Sequence, residues 1–210
     1  MTELRIGVIG AGVMGSGIAQ TLAAAGYETV CCDSAPAALE RAKRDVVSGR
    51  FGLASAVERG KLTRDDMNAA LGRLTWSDSL AMAAVADLIV ECVPERIDLK
   101  IRVFRELDRL AKPTAILASN TSGFPIAALA AATNRPERVV GWHWASPPPV
   151  MKFAEIVAAE HTGQTTLETV VEVARACGKN PVVVKDNPLA WGFVANRIYF
   201  AMIREAQRVV

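Results

Sequence analysis

Two residues of this 210-residue chain have the types and spacing of a proton-transfer pair. His143 ends an apolar stretch, and Glu155 follows 12 residues later within the next apolar stretch. Near pH 7 a neutral imidazole takes a proton from an alcohol, and a carboxylate on its second ring nitrogen fixes the tautomer and increases its basicity. Spacing alone also allows a structural histidine with satisfied hydrogen bonds, so both interpretations stay open.

Two polar residues elsewhere have side chains suited to holding a reacting oxygen. Ser122 lies in the loop after a predicted strand, where a serine either binds a substrate oxygen or simply forms a turn. Asn196 lies within a predicted helix, a position where asparagine is mildly unfavourable, and its amide therefore favours a functional interpretation. Trp142 and Trp144, which flank the histidine, are interpreted as core residues rather than an aromatic platform.

The chain opens on a glycine pattern typical of dinucleotide-binding proteins. An apolar run predicts a buried strand, and it leads through Gly10, Gly12 and Gly15 into a predicted helix. The first glycine permits the tight turn, the second lets the backbone approach a pyrophosphate, and the third lets the helix pack on the strand. The free N–H groups at the start of the helix, where Val13 and Met14 lie, attract phosphate.

An acidic residue follows at the position that selects the cofactor. The second predicted strand, residues 29–33, ends in Asp33, 18 residues after Gly15. A carboxylate there binds the ribose hydroxyls of NAD and repels the 2′-phosphate of NADP. The pattern therefore predicts NAD as the cofactor.

The elements that position these residues follow an α/β pattern. Alternating apolar runs and helical stretches predict a Rossmann-type doubly wound, mostly parallel sheet of about eight strands with a helical hairpin insertion. Ligands of such sheets bind beyond the carboxyl ends of the strands. Helices are predicted over residues 35–58, 63–71 and 191–210, among others. A further predicted helix begins with Pro94 at its first position and runs to about residue 111.

We expect two domains, a nucleotide-binding domain over residues 1–186 and the start of a C-terminal helical domain over 187–210. The last helix has nothing of its own to pack on. We therefore expect residues 187–210 either to pair with a second copy of the chain or to be poorly ordered.

Composition excludes several other classes of protein. The net charge of +2 gives no reason to expect nucleic acid as a partner, and no apolar run is long enough to span a membrane. The four cysteines show no C-x-x-C spacing, which favours reduced core residues in a cytoplasmic protein, and the sequence predicts no metal site.

Beyond these features, the chain resembles the 3-hydroxyacyl-CoA dehydrogenase family, and the resemblance covers nearly its whole length. The stretches that carry it are GVIGAGVMGSGIA at 7–19, ECVPERIDLK at 91–100, ASNTSG at 118–123, GWHWASPPPVMKFAE at 141–155, KDNP at 185–188 and GFVANR at 192–197. Together these stretches are far more specific than the glycine pattern alone.

The resemblance implies a role for each candidate residue. His143 is implied as the catalytic base and Glu155 as its charge partner, while Ser122 and Asn196 hold the reacting oxygen. Three further residues are implied to lie near the ribose and nicotinamide of NAD: Glu95, Lys100 and Asn120. The implied partners are a small-molecule substrate, either an acyl-CoA or a 3-hydroxy acid, and, in a full-length form, a second copy in a homodimer.

This chain departs from the family pattern in three places. Trp144, Ala145 and Ser146 replace the usual loop after the histidine, which leaves the acyl-chain preference open. The helical hairpin has diverged, so Arg59 and Lys61 are either contacts for a CoA phosphate or solvated charges. Family enzymes continue for roughly 80–100 further residues, about one ordinary domain, which form the dimer interface.

Three functions therefore remain in view. The leading one is an NAD-dependent dehydrogenase of a short-chain 3-hydroxyacyl-CoA. The second is a dehydrogenase of a non-CoA 3-hydroxy acid or of a carnitine- or gulonate-like alcohol. The third, from a different class, is an NAD-binding module without turnover.

Overall fold

The computed structural model describes residues 4–209, which form one eight-stranded sheet covered by helices. Residues 1–3 and 210, the outer ends of the two predicted domains, lie outside the described residues. In chain order the strands are β1 (Arg5–Ile9), β2 (Glu28–Cys32), β3 (Leu74–Ser77), β4 (Leu88–Glu91), β5 (Ile116–Ser119), β6 (Val139–Trp144), β7 (Phe153–Ala158) and β8 (Asn180–Lys185).

Across the sheet the strands run in the order β3-β2-β1-β4-β5-β6-β7-β8. Every neighbouring pair is parallel except β6 and β7, which are antiparallel. The predicted doubly wound, mostly parallel sheet is therefore confirmed. The parallel strands β1, β4 and β5 end at one edge, where a ligand is expected.

Helices cover both faces of the sheet, because alternate strand residues point to opposite sides. The helices are α1 (Val13–Ala24), α2 (Pro36–Ser48), α3 (Leu53–Glu58), α4 (Arg64–Gly72), α5 (Leu80–Ala84), α6 (Ile97–Leu110), α7 (Ile126–Ala130), α8 (Gln164–Ala176) and α9 (Val194–Val209). One apolar layer joins α1, α2, α3, α4 and α8 to the sheet, and the other joins α5, α6 and α7.

The single helix predicted over residues 35–58 is wrong, since two helices, α2 and α3, occupy that stretch. Gly49 ends α2 with an extended backbone, and Gly52 donates its N–H to the Gly49 carbonyl in a turn before α3 begins. The inserted hairpin is therefore α3 and α4. It packs onto the domain rather than standing off it, because Leu53 and Ala70 are buried in the same layer as α1.

The predicted start of the helix after β4 is also wrong. Pro94 and Glu95 lie in a loop, where Arg96 donates its N–H to the Pro94 carbonyl, and α6 begins only at Ile97. In contrast, the start of α4 agrees with the sequence. Thr63 and Asp66 form a capping box, in which each side chain accepts the other residue's backbone N–H at 3.0 Å.

The final helix has an anchored beginning and an exposed body. Phe193, just before α9, is buried, whereas α9 itself has no buried residue over its described length. Apolar side chains such as Ile198 and Met202 are exposed. The domain boundary near residue 187 and the pairing of this segment with a second copy both stay predictions.

No helix of residues 4–209 combines the length and apolar character needed to cross a bilayer. Over the same residues no group of three or more histidine, cysteine, aspartate or glutamate side chains is placed to hold a metal ion.

Candidate active site

The glycine turn between β1 and α1 is built as the sequence predicts. Gly10 has a φ of +100°, and a Cβ there would lie 2.7 Å from the Cys92 carbonyl oxygen. A Cβ on Gly15 would lie 1.7 Å from the Gly10 carbonyl oxygen, so the helix packs on the turn only through glycine. Gly12 differs, because a Cβ there would meet no atom within 4 Å. Its backbone therefore borders open space.

That open space is a cleft of about 980 Å³ at the carboxyl ends of the strands. No side chain caps the N-terminus of α1, so its first N–H groups are available to an anion in the cleft. Of the predicted cofactor residues only Gly15 is not in its lining, because Gly15 packs beneath the turn. The cleft is lined by Gly10, Gly12, Val13, Met14, Asp33, Glu95, Lys100 and Asn120, together with Ser122.

Asp33 lies directly after β2 at one end of this cleft. Its Oδ2 accepts the Ala11 N–H at 2.8 Å and its Oδ1 accepts the Ala35 N–H at 2.9 Å. Each carboxylate oxygen accepts more than one hydrogen bond, so both retain capacity for ribose hydroxyls. A second cavity, lined by apolar residues of α6 such as Leu99 and Val103, continues past Asp33 and offers a surface for the adenine ring.

A buried ion pair supports the opposite wall of the cleft. Glu91 is fully buried, and its Oε1 accepts Lys100 Nζ at 2.8 Å and the Val93 N–H at 2.7 Å. Its Oε2 accepts the Ser119 hydroxyl at 2.7 Å. Burial raises the pKa of Glu91, while Lys100 and the hydrogen bonds act in the opposite direction. Sequence reasoning missed Glu91, whose signal was a carboxylate inside an apolar strand.

The three donors of the Lys100 ammonium all have protein partners. Besides Glu91, the ammonium contacts the Val93 carbonyl at 3.1 Å and Glu95 Oε2 at 3.2 Å. Glu95 in turn uses Oε1 to accept the Ser122 N–H at 2.9 Å. Lys100 therefore holds Glu95, and Glu95 holds the loop that carries Ser122.

The candidate catalytic pair lies on β6 and β7. Their antiparallel register places His143 directly opposite Glu155, and His143 Nδ1 lies 2.8 Å from Glu155 Oε2. The Glu155 side chain is fully buried, whereas the imidazole is 13% exposed. With Nδ1 bound to the carboxylate, Nε2 is the ring nitrogen left for a substrate.

The second oxygen of Glu155 binds the start of the last helix. Oε1 accepts the Ala195 N–H at 3.0 Å. Burial acts to raise the pKa of Glu155, but the hydrogen bonds from His143, Ala195 and Val194 outweigh it, so the pKa lies below its usual value. The carboxyl group is therefore ionised near neutral pH, as the partner of a catalytic base needs to be.

The first turn of α9 brings Asn196 to the loop after β5. Asn196 Nδ2 donates to the Ser122 carbonyl at 3.1 Å, and Gly192 donates its N–H to the Gly123 carbonyl at 3.1 Å. This close approach requires glycine, because a Cβ on Gly123 would lie 2.5 Å from the Gly192 nitrogen. The structure thus brings Ser122 and Asn196 together, and Asn196 adjoins the helix turn that binds Glu155.

The predicted CoA contacts lie apart from this constellation. Arg59 and Lys61 are exposed at the turn between α3 and α4, and neither lines the nucleotide cleft. A separate cavity of about 550 Å³ lies between α1, the turn after α2 and Pro147–149, and its basic residue is Arg50. A substrate role for Arg59 and Lys61 stays a prediction.

Fold and site together define a dinucleotide-dependent dehydrogenase domain with a histidine–carboxylate pair. A family model described as the NAD binding domain of 3-hydroxyacyl-CoA dehydrogenase matches residues 5–187. The chain therefore belongs to the 3-hydroxyacyl-CoA dehydrogenase family. Membership confirms the predicted class, an oxidoreductase, and NAD as its cofactor.

Individual relatives agree with this membership. The chain is 42% identical over 202 residues to a probable 3-hydroxybutyryl-CoA dehydrogenase of Bacillus subtilis, covering 96% of this chain and 68% of the relative. It is 40% identical to the 5-formyl-3-hydroxy-2-methylpyridine 4-carboxylate 5-dehydrogenase of Mesorhizobium japonicum, covering 98% of this chain and 64% of the relative. The solved structure of (S)-3-hydroxybutyryl-CoA dehydrogenase PaaH1 from Ralstonia eutropha is 37% identical with a TM-score of 0.91, covering 97% of this chain and 70% of that one.

Replacing Gly12 with alanine separates cofactor binding from folding. The new methyl group meets no protein atom but projects into the cleft, so Gly12→Ala should leave the melting temperature near that of the wild type. The Kd for NAD should rise at least about tenfold, equivalent to roughly 1.4 kcal/mol, in a calorimetric titration. Gly72→Ala, at another glycine with no neighbours, is the matched control. Unchanged NAD binding in Gly12→Ala would contradict the assigned approach of the pyrophosphate.

Removing Lys100 tests the buried ion pair. Lys100→Met leaves the Glu91 carboxylate without its cation, and we expect the free energy of unfolding in urea to fall by about 3–5 kcal/mol. The double variant Glu91→Gln with Lys100→Met removes both charges and should recover most of that loss. Equal stability of the single and double variants would show that the pair is not the source of the effect.

Proposed function

We propose that this chain oxidises the 3-hydroxyl group of a short-chain 3-hydroxyacyl-CoA, with His143 as the general base. The observation that carries the proposal is the 2.8 Å contact between His143 Nδ1 and Glu155 Oε2. This contact leaves Nε2 as the basic atom. The family membership and the Bacillus subtilis relative support the substrate class.

Four residues have separate roles in the proposed proton transfer. His143 Nε2 takes the proton of the substrate hydroxyl, and the ionised Glu155 stabilises the imidazolium that results. Ser122 and Asn196 bind the same oxygen as it becomes a carbonyl. In the reverse direction the imidazolium returns the proton to the alkoxide. Each of these roles is the one that base-assisted dehydrogenation requires of a residue in that position.

The residues of the cleft fit NAD, which when bound accepts the hydride from C3 of the substrate. Gly12 and the start of α1 would hold the pyrophosphate, and Asp33 the adenosine ribose. Glu95 and Asn120 would border the nicotinamide side of the cleft. Lys100 would not contact NAD itself, because its donors are already bound to protein acceptors. It would act by holding Glu95 in place.

The cavity beside Pro147–149 is the proposed place for the thioester side of the substrate. Val13, Val46 and Phe51 line it with apolar atoms, and its lining carries one basic and one acidic residue, Arg50 and Asp45. Arg59 and Lys61, on the adjacent hairpin, would meet the CoA phosphates further out. The exposed apolar side of α9 favours a homodimer, and four free cysteines favour a reducing, cytoplasmic location.

One observation favours a non-CoA substrate instead. The Mesorhizobium japonicum relative, named for a pyridine carboxylate, is 40% identical to this chain. The loop residues Trp144, Ala145 and Ser146 also leave substrate choice open. The third function, an NAD-binding module without turnover, is disfavoured by the His143–Glu155 and Asn196–Ser122 contacts, because such a module has no need of them.

A substrate panel separates these three functions. NADH formation is followed at 340 nm, a wavelength set by the reduced nicotinamide, with 3-hydroxybutyryl-CoA, carnitine and gulonate as substrates. We expect turnover with the CoA ester. Turnover with only a non-CoA substrate would favour the second function. NAD binding without turnover on any of them would favour the binding module.

His143→Gln tests the role of the base. The amide keeps polarity but takes no proton, so kcat should fall by about 10²–10⁴-fold while the Kd for NAD stays unchanged. The matched control is His161→Gln, because His161 is the second histidine and is exposed. A near-normal kcat in His143→Gln would remove this residue from the mechanism.

A further inference from the structure

A buried lysine outside the candidate catalytic residues has no carboxylate partner among residues 4–209. Lys179 lies in the turn between α8 and β8 and is 6% exposed. Gly178, with a φ of +70°, reverses the chain there, and the Lys179 N–H returns to the Ala174 carbonyl at 3.0 Å. The turn thereby directs the lysine side chain inward. A buried ammonium is costly unless polar groups surround it, so its partners indicate its purpose.

Two of those partners belong to the segment that follows β6, the strand that carries His143. Lys179 Nζ donates to the Pro148 carbonyl and, at 2.8 Å, to the Met151 carbonyl. It also lies 4.9 Å from the centroid of the Trp144 ring, within cation–π distance. Burial lowers the pKa of Lys179, as expected for an ammonium held by neutral groups. Two of the contacts fall in the segment between β6 and β7, and the third is to the last residue of β6.

The residues 145–151, here called the proline loop, need such an anchor. Pro147, Pro148 and Pro149 have no N–H groups and cannot pair with a neighbouring strand. The N–H groups of Val150 and Met151 both return to the Pro147 carbonyl at 3.0 Å, within the loop itself. The Lys179 ammonium therefore supplies the loop with bonds from outside it.

The proline loop and Trp144 border both sides of the candidate active site. Pro148 and Pro149 press on α1, where a Cβ on Gly17 would come within 3.2 Å of both, and they form one wall of the cavity beside α1. On the other side, the backbone N–H of Trp144 donates to Asn120 Oδ1 at 3.0 Å, and Asn120 lines the nucleotide cleft. Lys179 touches neither ligand site directly. It contacts the proline loop and the Trp144 ring, whereas the bond to Asn120 comes from the Trp144 backbone in β6.

We propose that Lys179 is a positioning residue that holds the proline loop and Trp144 as the substrate-side wall of the active site. The kinetic part of this proposal rests on the proposed function. Because the lysine contacts the wall and not the His143–Glu155 pair, its removal should weaken substrate binding and leave proton transfer intact. A residue needed only for folding would not separate these two quantities.

The kinetic test compares Lys179→Met with Lys152→Met, an exposed lysine that adjoins the same loop. We expect Lys179→Met to raise the KM for 3-hydroxybutyryl-CoA about tenfold, because the substrate-side wall loses both hydrogen bonds from the ammonium. The kcat, its pH profile and the Kd for NAD should stay at wild-type values. Lys179→Arg, which keeps the cation and its donors, should have a KM close to that of the wild type. Lys152→Met should have the wild-type KM.

The same comparison contains the results that would overturn the proposal. A fall in kcat or a shifted pH profile in Lys179→Met would show that the lysine acts on the catalytic pair. An unchanged KM, or an equal change in Lys152→Met, would remove it from the substrate wall. If Lys179→Met does not fold, Lys179→Gln, which keeps an amide donor for the carbonyls, takes its place in both comparisons.

A second measurement does not depend on turnover. Amide hydrogen exchange of Val150 and Met151 should be at least about tenfold faster in Lys179→Met, because the loop loses its bonds to the ammonium, while amides of β1 and β4 keep their rates. Equal acceleration throughout the protein would show only lower global stability and would overturn the proposal. If the wild type oxidises no 3-hydroxyacyl-CoA, the proposed function fails, while this measurement still decides whether Lys179 holds the loop.

Discussion

The buried carboxylate of Glu155 connects the parts of the candidate active site. A carboxylate removed from water needs a partner for each oxygen, and here the two partners come from distant parts of the chain. One oxygen binds His143 through the antiparallel register of β6 and β7, and the other binds the first N–H groups of α9. The same bonds that keep Glu155 ionised therefore fix the imidazole and attach the last helix to the site.

This attachment explains why α9 has two different halves. Its first turn lies against the loop after β5, where Asn196 reaches the Ser122 carbonyl and Gly192 approaches Gly123. The rest of the helix buries no residue. A domain boundary drawn near residue 187 would place the first turn outside the nucleotide-binding domain, yet its contacts belong to the site. The candidate site therefore spans the boundary that the pattern of strands and helices predicts.

Local patterns were sufficient to predict the glycine turn and the acid after β2, because both lie within one β–α–β unit. The glycine turn and Asp33 lie as predicted. The pairing of His143 with Glu155 depends on strand register, which the spacing of two residues does not determine. The predictions of helix ends were wrong where the chain forms a local turn instead. At Gly49 the backbone is extended and ends α2, and the Gly49 carbonyl then accepts the Gly52 N–H.

Sequence reasoning missed two buried charges, each of which also bonds to residues far along the chain. Glu91 meets Ser119 from the neighbouring strand, and Lys179 meets carbonyls of the proline loop, about thirty residues away. No periodic pattern reports such contacts. Glu91 carries one signal, a carboxylate inside an apolar run, whereas Lys179 lies between Gly178 and Asn180 and carries none.

The central claim is that this site moves a hydride from C3 of a 3-hydroxyacyl thioester to bound NAD. The most direct measurement uses 3-hydroxybutyryl-CoA with deuterium at C3 and follows the reduced cofactor by mass spectrometry. The account predicts that each molecule of reduced cofactor carries one deuterium. Reduced cofactor without the label, or bound NAD that acquires none from any 3-hydroxy substrate, would contradict it.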